Sequence, residues 1–250
     1  MNKAAKAAAD GLAVIPARGG SKGVPRKAER LVAGVPLLAR TIRAATQARS
    51  VARVIVSTDD TRYAALAREH GAEVPFLRPA HLATDHASMI DVMVDLLARL
   101  AADGFALPEW LVLLQPTSPF TTGEDIDQAR CLADGRADAV VSVCRSDVQP
   151  DWLRRPDAEG WLAPLGSLDV KQHTPRQAMP TTYRLNGALY WVRTRVFLAE
   201  RTFLPRCTRH FEMPLARSLD IDSPFDLELA NWLAGQVPEG RALQSMEEPR

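Results

Sequence analysis

Short apolar runs alternate along most of the chain with longer segments in which apolar residues recur every three or four positions. Such runs are typical of buried strands, and the longer spacing is typical of helices with one apolar face. The predicted strands cover residues 12–16, 54–57, 73–77, 110–115, 139–144 and 188–192. The predicted helices are one that begins at Pro36, one at 61–70, one capped by Ser88, one at 125–134 and one capped by Ser223. The alternation predicts an α/β fold with a mostly parallel sheet and helices on both faces.

Four predicted loops should meet at one edge of this sheet. Parallel α/β sheets bind ligands just outside the carboxyl ends of their strands. The loops that follow Pro16, Ser57, Leu77 and Gln115 leave predicted strands in that direction. The functional site is therefore predicted at this edge.

The regular alternation stops at about 146–185, where prolines, charges and isolated tryptophans replace it. This segment has little core of its own, so Trp152, Trp161 and Leu165 need another surface to cover them, and a neighbouring subunit would serve. We interpret it as an arm inserted into one domain. The predicted organisation is a flexible N-terminus at 1–10, a single domain at 11–235 and a flexible tail at 236–250.

Composition and charge narrow the classes of partner. The 250 residues include 31 lysines and arginines and 30 aspartates and glutamates, so the net charge of +1 gives no sign of a nucleic-acid or membrane surface. No apolar run reaches the roughly 18 residues that a membrane span needs. The odd number and wide spacing of Cys131, Cys144 and Cys207 indicate reduced thiols. We therefore expect a cytoplasmic protein that binds neither nucleic acid nor membrane.

A basic, glycine-rich loop directly follows the first predicted strand. Glycines let backbone N–H groups face an anion without a Cβ in the way. Arg18, Lys22, Arg26 and Lys27 place four positive charges within ten residues, which matches the roughly four negative charges of a triphosphate. The spacing fits neither a Walker A loop nor a dinucleotide-binding loop. A solvated basic turn is the alternative, and the position after a strand favours phosphate binding.

Two carboxylates near the end of the domain form a candidate metal site. Asp220 and Asp222 are spaced i, i+2, which places both side chains on one face of an extended segment. Such a pair suits a hard cation that also binds substrate phosphate oxygens. Ser223, Pro224 and Asp226 have the pattern of a helix start, so simple capping is the alternative role for these aspartates.

The chain resembles a known family at five motifs. The segment Ile-Pro-Ala-Arg-Gly-Gly-Ser-Lys-Gly-Val-Pro-Arg-Lys at 15–27 resembles the signature loop of acylneuraminate cytidylyltransferases, the CMP-sialic acid synthetases. These enzymes activate nine-carbon 2-keto sugar acids with CTP and release pyrophosphate. Segments 77–85, 114–120, 184–190 and 220–222 resemble the family's later motifs in order, over about 210 residues in all.

The resemblance implies a Rossmann-like three-layer nucleotide-diphospho-sugar transferase fold and two substrates, CTP and a nonulosonic acid. It implies Mg²⁺, with Mn²⁺ as an alternative, on Asp220 and Asp222. It also implies a homodimer that exchanges the arm. The implied catalytic residues are Arg18, Lys22 and Lys27. The implied nucleotide-binding residues are Ala17, Arg18, Gly19, Gly20, Ser21, Lys22, Lys27, Arg78, Ala87 and Ser88. The implied sugar-binding residues are Gln115, Thr117, Ser118, Arg176, Asn186, Gly187 and Tyr190.

The chain departs from the family pattern at two places. Ala28 stands where the family has an asparagine that contacts the nucleotide, and Glu29 or Arg30 could replace that contact. Residues 149–152 lack a lysine found in sialic-acid-specific relatives, which resembles members that act on legionaminic-acid-type substrates. The alternatives are a cytidylyltransferase for the eight-carbon acid Kdo and a nucleotide-binding relative that has lost catalysis. Tyr190 and Phe203 could line a wall for an acyl group or pack in the core.

Overall fold

The computed structural model of the chain describes residues 10–165 and 181–236. The strands are β1 Gly11–Pro16, β2 Leu31–Val32, β3 Val35–Pro36, β4 Val51–Ser57, β5 Trp110–Leu114, β6 Ala139–Arg145, β7 Arg154–Pro156, β8 Leu162–Pro164, β9 Tyr183–Arg193 and β10 Thr208–Glu212. The α-helices are α1 Leu37–Gln47, α2 Thr61–Glu69, α3 Met89–Ala102, α4 Gly123–Cys131, α5 Thr194–Glu200 and α6 Pro224–Gly235.

Six strands form the central sheet in the order β10-β6-β9-β5-β1-β4. The pairs β1–β4, β1–β5 and β6–β10 are parallel. Strand β9 lies in the middle of the sheet and runs antiparallel to both β5 and β6. The predicted mostly parallel sheet is therefore confirmed, with β9 as the exception.

The two faces of the sheet carry separate apolar cores. Along β1, Ala13 and Ile15 pack in the core that includes residues of α1, α2 and α4. Leu12 and Val14 point the other way and pack with residues of α3 and α5. Because successive strand side chains alternate between faces, one apolar strand serves both cores. The predicted three-layer arrangement is thus confirmed.

Three predicted elements differ from the structure. Residues 73–77 form no strand, because Pro75 has no N–H to continue the ladder, and only one bridge joins Glu73 to Ile55. Pro36 is the N-cap of α1, with extended backbone, and is not its first helical residue. Helix α4 begins at Gly123 because Thr122 and Asp125 form a capping box there, two residues before the predicted start. Strand β10 and helix α5 were not predicted.

The arm is described only in part. Strands β7 and β8 form an exposed hairpin, and the exposed fraction of Trp161 beside it is 71%. Trp152, Trp161 and Leu165 are all exposed. Arg176 lies outside the described residues, as do 1–9 of the predicted N-terminus and 237–250 of the predicted tail. Among the described residues, no helix has the length and apolar character needed to cross a bilayer.

Candidate functional site

The predicted loops do share one edge of the sheet. Strands β1, β4 and β5 are mutually parallel, so their carboxyl ends lie together. Ala17 N–H donates to the carbonyl of Ser57 at 2.9 Å, and Arg78 N–H donates to the carbonyl of Thr58 at 2.8 Å. The phosphate loop (residues 17–27) and the segment after Leu77 are therefore both attached to the end of β4.

The phosphate loop presents its cations toward an acidic partner. Arg18 Nη1 lies 2.8 Å from Asp85 Oδ1, and Lys22 Nζ lies 2.6 Å from Asp85 Oδ2. Lys22, followed by Arg18, holds the pKa of Asp85 below its usual range. The N–H of Gly19 donates to Asp59 Oδ1 at 2.9 Å. Ser21 is half-buried, whereas Gly20 is exposed with open space around it.

The far end of the phosphate loop is fastened to the predicted metal segment. Lys27 Nζ donates to the carbonyl of Ile221 at 2.6 Å and to Asp222 Oδ1 at 2.7 Å. A Cβ on Gly23 would lie 2.2 Å from the carbonyl oxygen of Asp222, so only glycine fits there. Val24 and Ile221 belong to one buried apolar cluster beneath. The structure therefore brings the loop and the two aspartates together.

Asp220 is the less exposed of the two aspartates. Its Oδ1 is buried and has no hydrogen-bond partner among the described residues. Burial raises the pKa of the Asp220 carboxyl, and the nearby charge of Asp222 adds to the shift. Lys27 and the Thr117 hydroxyl oppose it, although the hydroxyl does not reach hydrogen-bond geometry. Asp222 is exposed and held by Lys27. A buried carboxylate oxygen without a partner is a natural ligand for a cation.

Uncharged polar groups surround Asp220. The carbonyl of Thr117 accepts the N–H of Ile221 at 2.9 Å. The hydroxyls of Thr117 and Ser118 are buried without a partner in the part of the chain that the structure describes. A Cβ on Gly187, whose φ is +76°, would lie 3.8 Å from Asp220 Oδ2 and from Gln115 Nε2. Thr117, Gly187 and Gln115 therefore lie in one small region around Asp220.

Tyr190 and Asn186 both lie on β9 but have different surroundings. Tyr190 is half-buried beside Phe203, with ring centroids 5.9 Å apart. Burial and the charge of Asp220 raise the pKa of its hydroxyl. Asn186 is fully buried, where its amide donates to Ser218 Oγ and Met213 Sδ and accepts from Ser142 and the N–H of Ala188. These hydrogen bonds therefore hold the Asn186 side chain in the buried interior next to the site.

Arg78, Ala87 and Ser88 are the residues predicted to bind the cytosine base. Arg78 is 7% exposed, and its guanidinium donates to the carbonyl and hydroxyl of Ser57. Burial lowers the pKa of Arg78, with Asp59 opposing the shift. Ala87 is half-buried, and Ser88 caps α3 by accepting the N–H of Ile90 at 3.1 Å.

The sequence did not predict the roles of three residues near the phosphate loop. Asp59 and Asp85 engage the phosphate loop, and Gly23 permits its contact with Asp222. Asp85 is the last residue of the motif at 77–85, but no sequence spacing links it to Arg18. Ala28 is buried in the core, while Glu29 pairs with Arg26. The replacement of the family's asparagine contact by a neighbour stays a prediction.

The chain is similar to known proteins over most of its length. The family model described as Cytidylyltransferase matches residues 12–143. A CMP-N,N'-diacetyllegionaminic acid synthase of Legionella pneumophila is 37% identical over 225 residues, which cover 89% of this chain and 95% of that protein. An N-acylneuraminate cytidylyltransferase of Escherichia coli O18:K1:H7 is 36% identical over 88% of this chain, which spans 51% of that longer protein.

A solved structure of CMP:2-keto-3-deoxy-manno-octonic acid synthetase complexed with CTP has the same fold. The TM-score is 0.66 at 19% sequence identity, and the match covers 90% of this chain and 98% of that chain. This identity is low enough that the likeness concerns the fold alone.

Proposed function

The chain belongs to the cytidylyltransferase family, and we propose that it transfers the cytidylyl group of CTP to a nonulosonic acid. The observation that carries this proposal is the meeting of three features at one edge of the sheet. They are a cationic phosphate loop, a buried carboxylate without a partner at Asp220, and unpaired hydroxyls at Thr117 and Ser118. A nucleotide and a sugar acid together need all three.

The nucleotide would bind along the phosphate loop. Ala17, Arg18, Gly19, Gly20, Ser21, Lys22 and Lys27 are the proposed contacts for the phosphates. Arg18 and Lys22, which pair with Asp85, would stabilise negative charge that grows on the departing phosphates. Arg78, with backbone groups of Ala87 and Ser88, would read the cytosine. The buried guanidinium of Arg78 is already fixed on Ser57, which supports a preformed base site.

The residues present fit a divalent cation. Asp220 Oδ1 is a buried anionic oxygen without a hydrogen bond, and Asp222 contributes a second carboxylate two residues on. Mg²⁺, or Mn²⁺ in its place, would be held by these two side chains and by phosphate oxygens. When bound, it would neutralise phosphate charge during transfer. Lys27 keeps Asp222 in place through its own hydrogen bond.

The sugar acid would lie beside Asp220. Gln115, Thr117, Ser118 and the backbone of Gly187 offer uncharged groups to its hydroxyls, and Asn186 positions β9 beneath them. Tyr190 and Phe203 would form an apolar wall for an acyl group. Arg176 is proposed to pair with the carboxylate, a role that suits a planar guanidinium.

The reaction would be a direct displacement. The anomeric hydroxyl oxygen of the sugar acid forms a bond to the α-phosphorus of CTP and gives up its proton to the solvent. The bond from that phosphorus to the bridging oxygen of the β-phosphate breaks, and pyrophosphate leaves with the bonding electrons. The loop cations would stabilise the charge on the leaving pyrophosphate, and the displacement needs no covalent intermediate with the protein.

The substrate class is proposed to be legionaminic-acid-like. The similarity to a protein named CMP-N,N'-diacetyllegionaminic acid synthase supports it, as does the absence of lysine from 149–152. With CTP and Mg²⁺, we expect kcat/KM for N,N'-diacetyllegionaminate to exceed that for Kdo by about tenfold or more. Pyrophosphate release against a panel of these acids and N-acetylneuraminate measures it. A preference for Kdo would contradict the proposed substrate class, and no turnover with any acid would favour a relative without catalysis.

We also propose that the chain forms a homodimer that exchanges the arm, and that it acts in the cytoplasm. The exposed apolar side chains around β7 and β8 support the homodimer. The three unpaired cysteines support the cytoplasmic location. Sedimentation should give about 55 kDa, twice the 27.4-kDa chain. Trp161→Arg should dissociate the dimer and lower activity, because it puts a charge in the contact. Trp232→Arg, at another exposed tryptophan, on α6, should do neither. Full activity of wild-type monomers at low nanomolar concentration would contradict arm exchange.

A further inference from the structure

Asp85 occupies the two cations on which the proposed phosphate site depends. We propose that Asp85 is a displaceable carboxylate that stands in for phosphate in the nucleotide-free protein, and that an incoming polyphosphate takes over its two partners. This inference rests on the proposed function of the phosphate loop. It adds a self-inhibitory contact that lowers nucleotide affinity.

Both oxygens of the Asp85 carboxylate form ion pairs. Oδ1 binds Arg18 Nη1 at 2.8 Å and Oδ2 binds Lys22 Nζ at 2.6 Å, so one oxygen serves each cation. Within residues 10–165 and 181–236, neither cation has another carboxylate in ion-pair distance. A phosphate group that meets both cations must therefore share them with Asp85 or displace it. Displacement is favoured because the carboxylate and a polyphosphate carry charge of the same sign.

The contact is weak enough to be exchanged. The Asp85 side chain is 31% exposed and that of Lys22 is 81% exposed, so water screens both ion pairs. Exposed pairs of this kind contribute little, whereas charge-assisted bonds from a polyphosphate are several. The two cations keep the pKa of Asp85 low, so the carboxylate remains charged at neutral pH.

Displacement of Asp85 would also affect the part of the site that is proposed to bind the cytosine. Asp85 lies in a turn between Arg78 and Ala87, the residues proposed to read the cytosine. Freeing this turn from the phosphate loop would let it adjust around the base. Phosphate binding and base reading would then be coupled through one short segment.

Asp85→Asn provides the test, with inorganic tripolyphosphate as the probe. Asparagine keeps the size of the side chain but removes its charge. Calorimetry at low ionic strength should give a dissociation constant about three- to tenfold lower than that of the wild type. Asp103→Asn is the matched control. It removes one exposed charge at the other end of α3, about 21 Å away along the helix, and should leave the constant unchanged.

The outcomes separate this inference from the proposed function. Equal or weaker binding of tripolyphosphate by Asp85→Asn would overturn the stand-in role, as would a failure of both proteins to bind it. The probe has neither base nor sugar, so this result does not depend on CTP being the substrate. Turnover of CTP by the wild-type protein tests the proposed function by itself.

Discussion

Asp220→Asn should lower kcat for pyrophosphate release from CTP by about 10³-fold, a loss of several kcal/mol of transition-state stabilisation. Asparagine preserves the volume of the side chain but removes the negative charge that would hold the cation. The unpartnered Oδ1 of Asp220 has no other evident use in the described part of the chain. Steady-state kinetics at saturating CTP and sugar acid measure the effect.

The stability of the same variant guards against a folding explanation. Burial raises the pKa of Asp220 in the folded protein above its unfolded value. Ionisation of this carboxyl therefore lowers the free energy of unfolding, and the loss is complete at pH values above the raised pKa. The neutral asparagine escapes this cost, and the variant should have a Tm at neutral pH equal to or above that of the wild type. Full turnover with Mg²⁺ as the only metal would remove Asp220 from the mechanism. Asp103→Asn should keep wild-type kcat.

Gly23→Ala should lower kcat by about 10²-fold without removing any functional group. The new Cβ would lie 2.2 Å from the Asp222 carbonyl oxygen, which is backbone and cannot rotate away. The phosphate loop and the aspartate segment must then separate, and displacements of about 1 Å are enough for a loss of this size. Kinetics and a thermal melt measure the two consequences, lower kcat and a lower Tm.

Gly135→Ala is the control for this substitution. Gly135 has open space around it and lies between α4 and β6, at the opposite edge of the sheet. Alanine there should leave kcat and Tm close to the wild-type values. Wild-type kcat in Gly23→Ala would show that the contact between the loop and Asp222 has no part in catalysis.

The sequence predicted the elements whose pattern is local. Apolar runs located β1, β4, β5 and β6, and Ser88 and Ser223 cap their helices as predicted. The shared edge of the loops after Pro16, Ser57 and Gln115 followed from parallel strands. The family resemblance alone linked the phosphate loop to the aspartate pair, which the structure joins to it through Lys27.

Features that depend on contacts between distant segments could not be predicted in this way. Strand β9 reads as an ordinary buried strand, and its antiparallel direction is set by its partners β5 and β6. Asp85 meets Arg18 across 67 positions of sequence, and nothing in either segment specifies that pairing. The family resemblance implied that Asn186 binds the sugar. In the structure its amide hydrogen-bonds to Ser142 and Ser218, which are distant from it in the sequence.

The most direct test of cytidylyl transfer follows the α-phosphorus of CTP. CTP labelled with ³²P at the α-position is incubated with the wild-type protein, Mg²⁺ and N,N'-diacetyllegionaminate, and the products are separated. The proposed reaction predicts that the label enters the CMP-sugar, with one unlabelled pyrophosphate released for each molecule formed. Label that stays in CTP, or orthophosphate released without a labelled sugar, would contradict it.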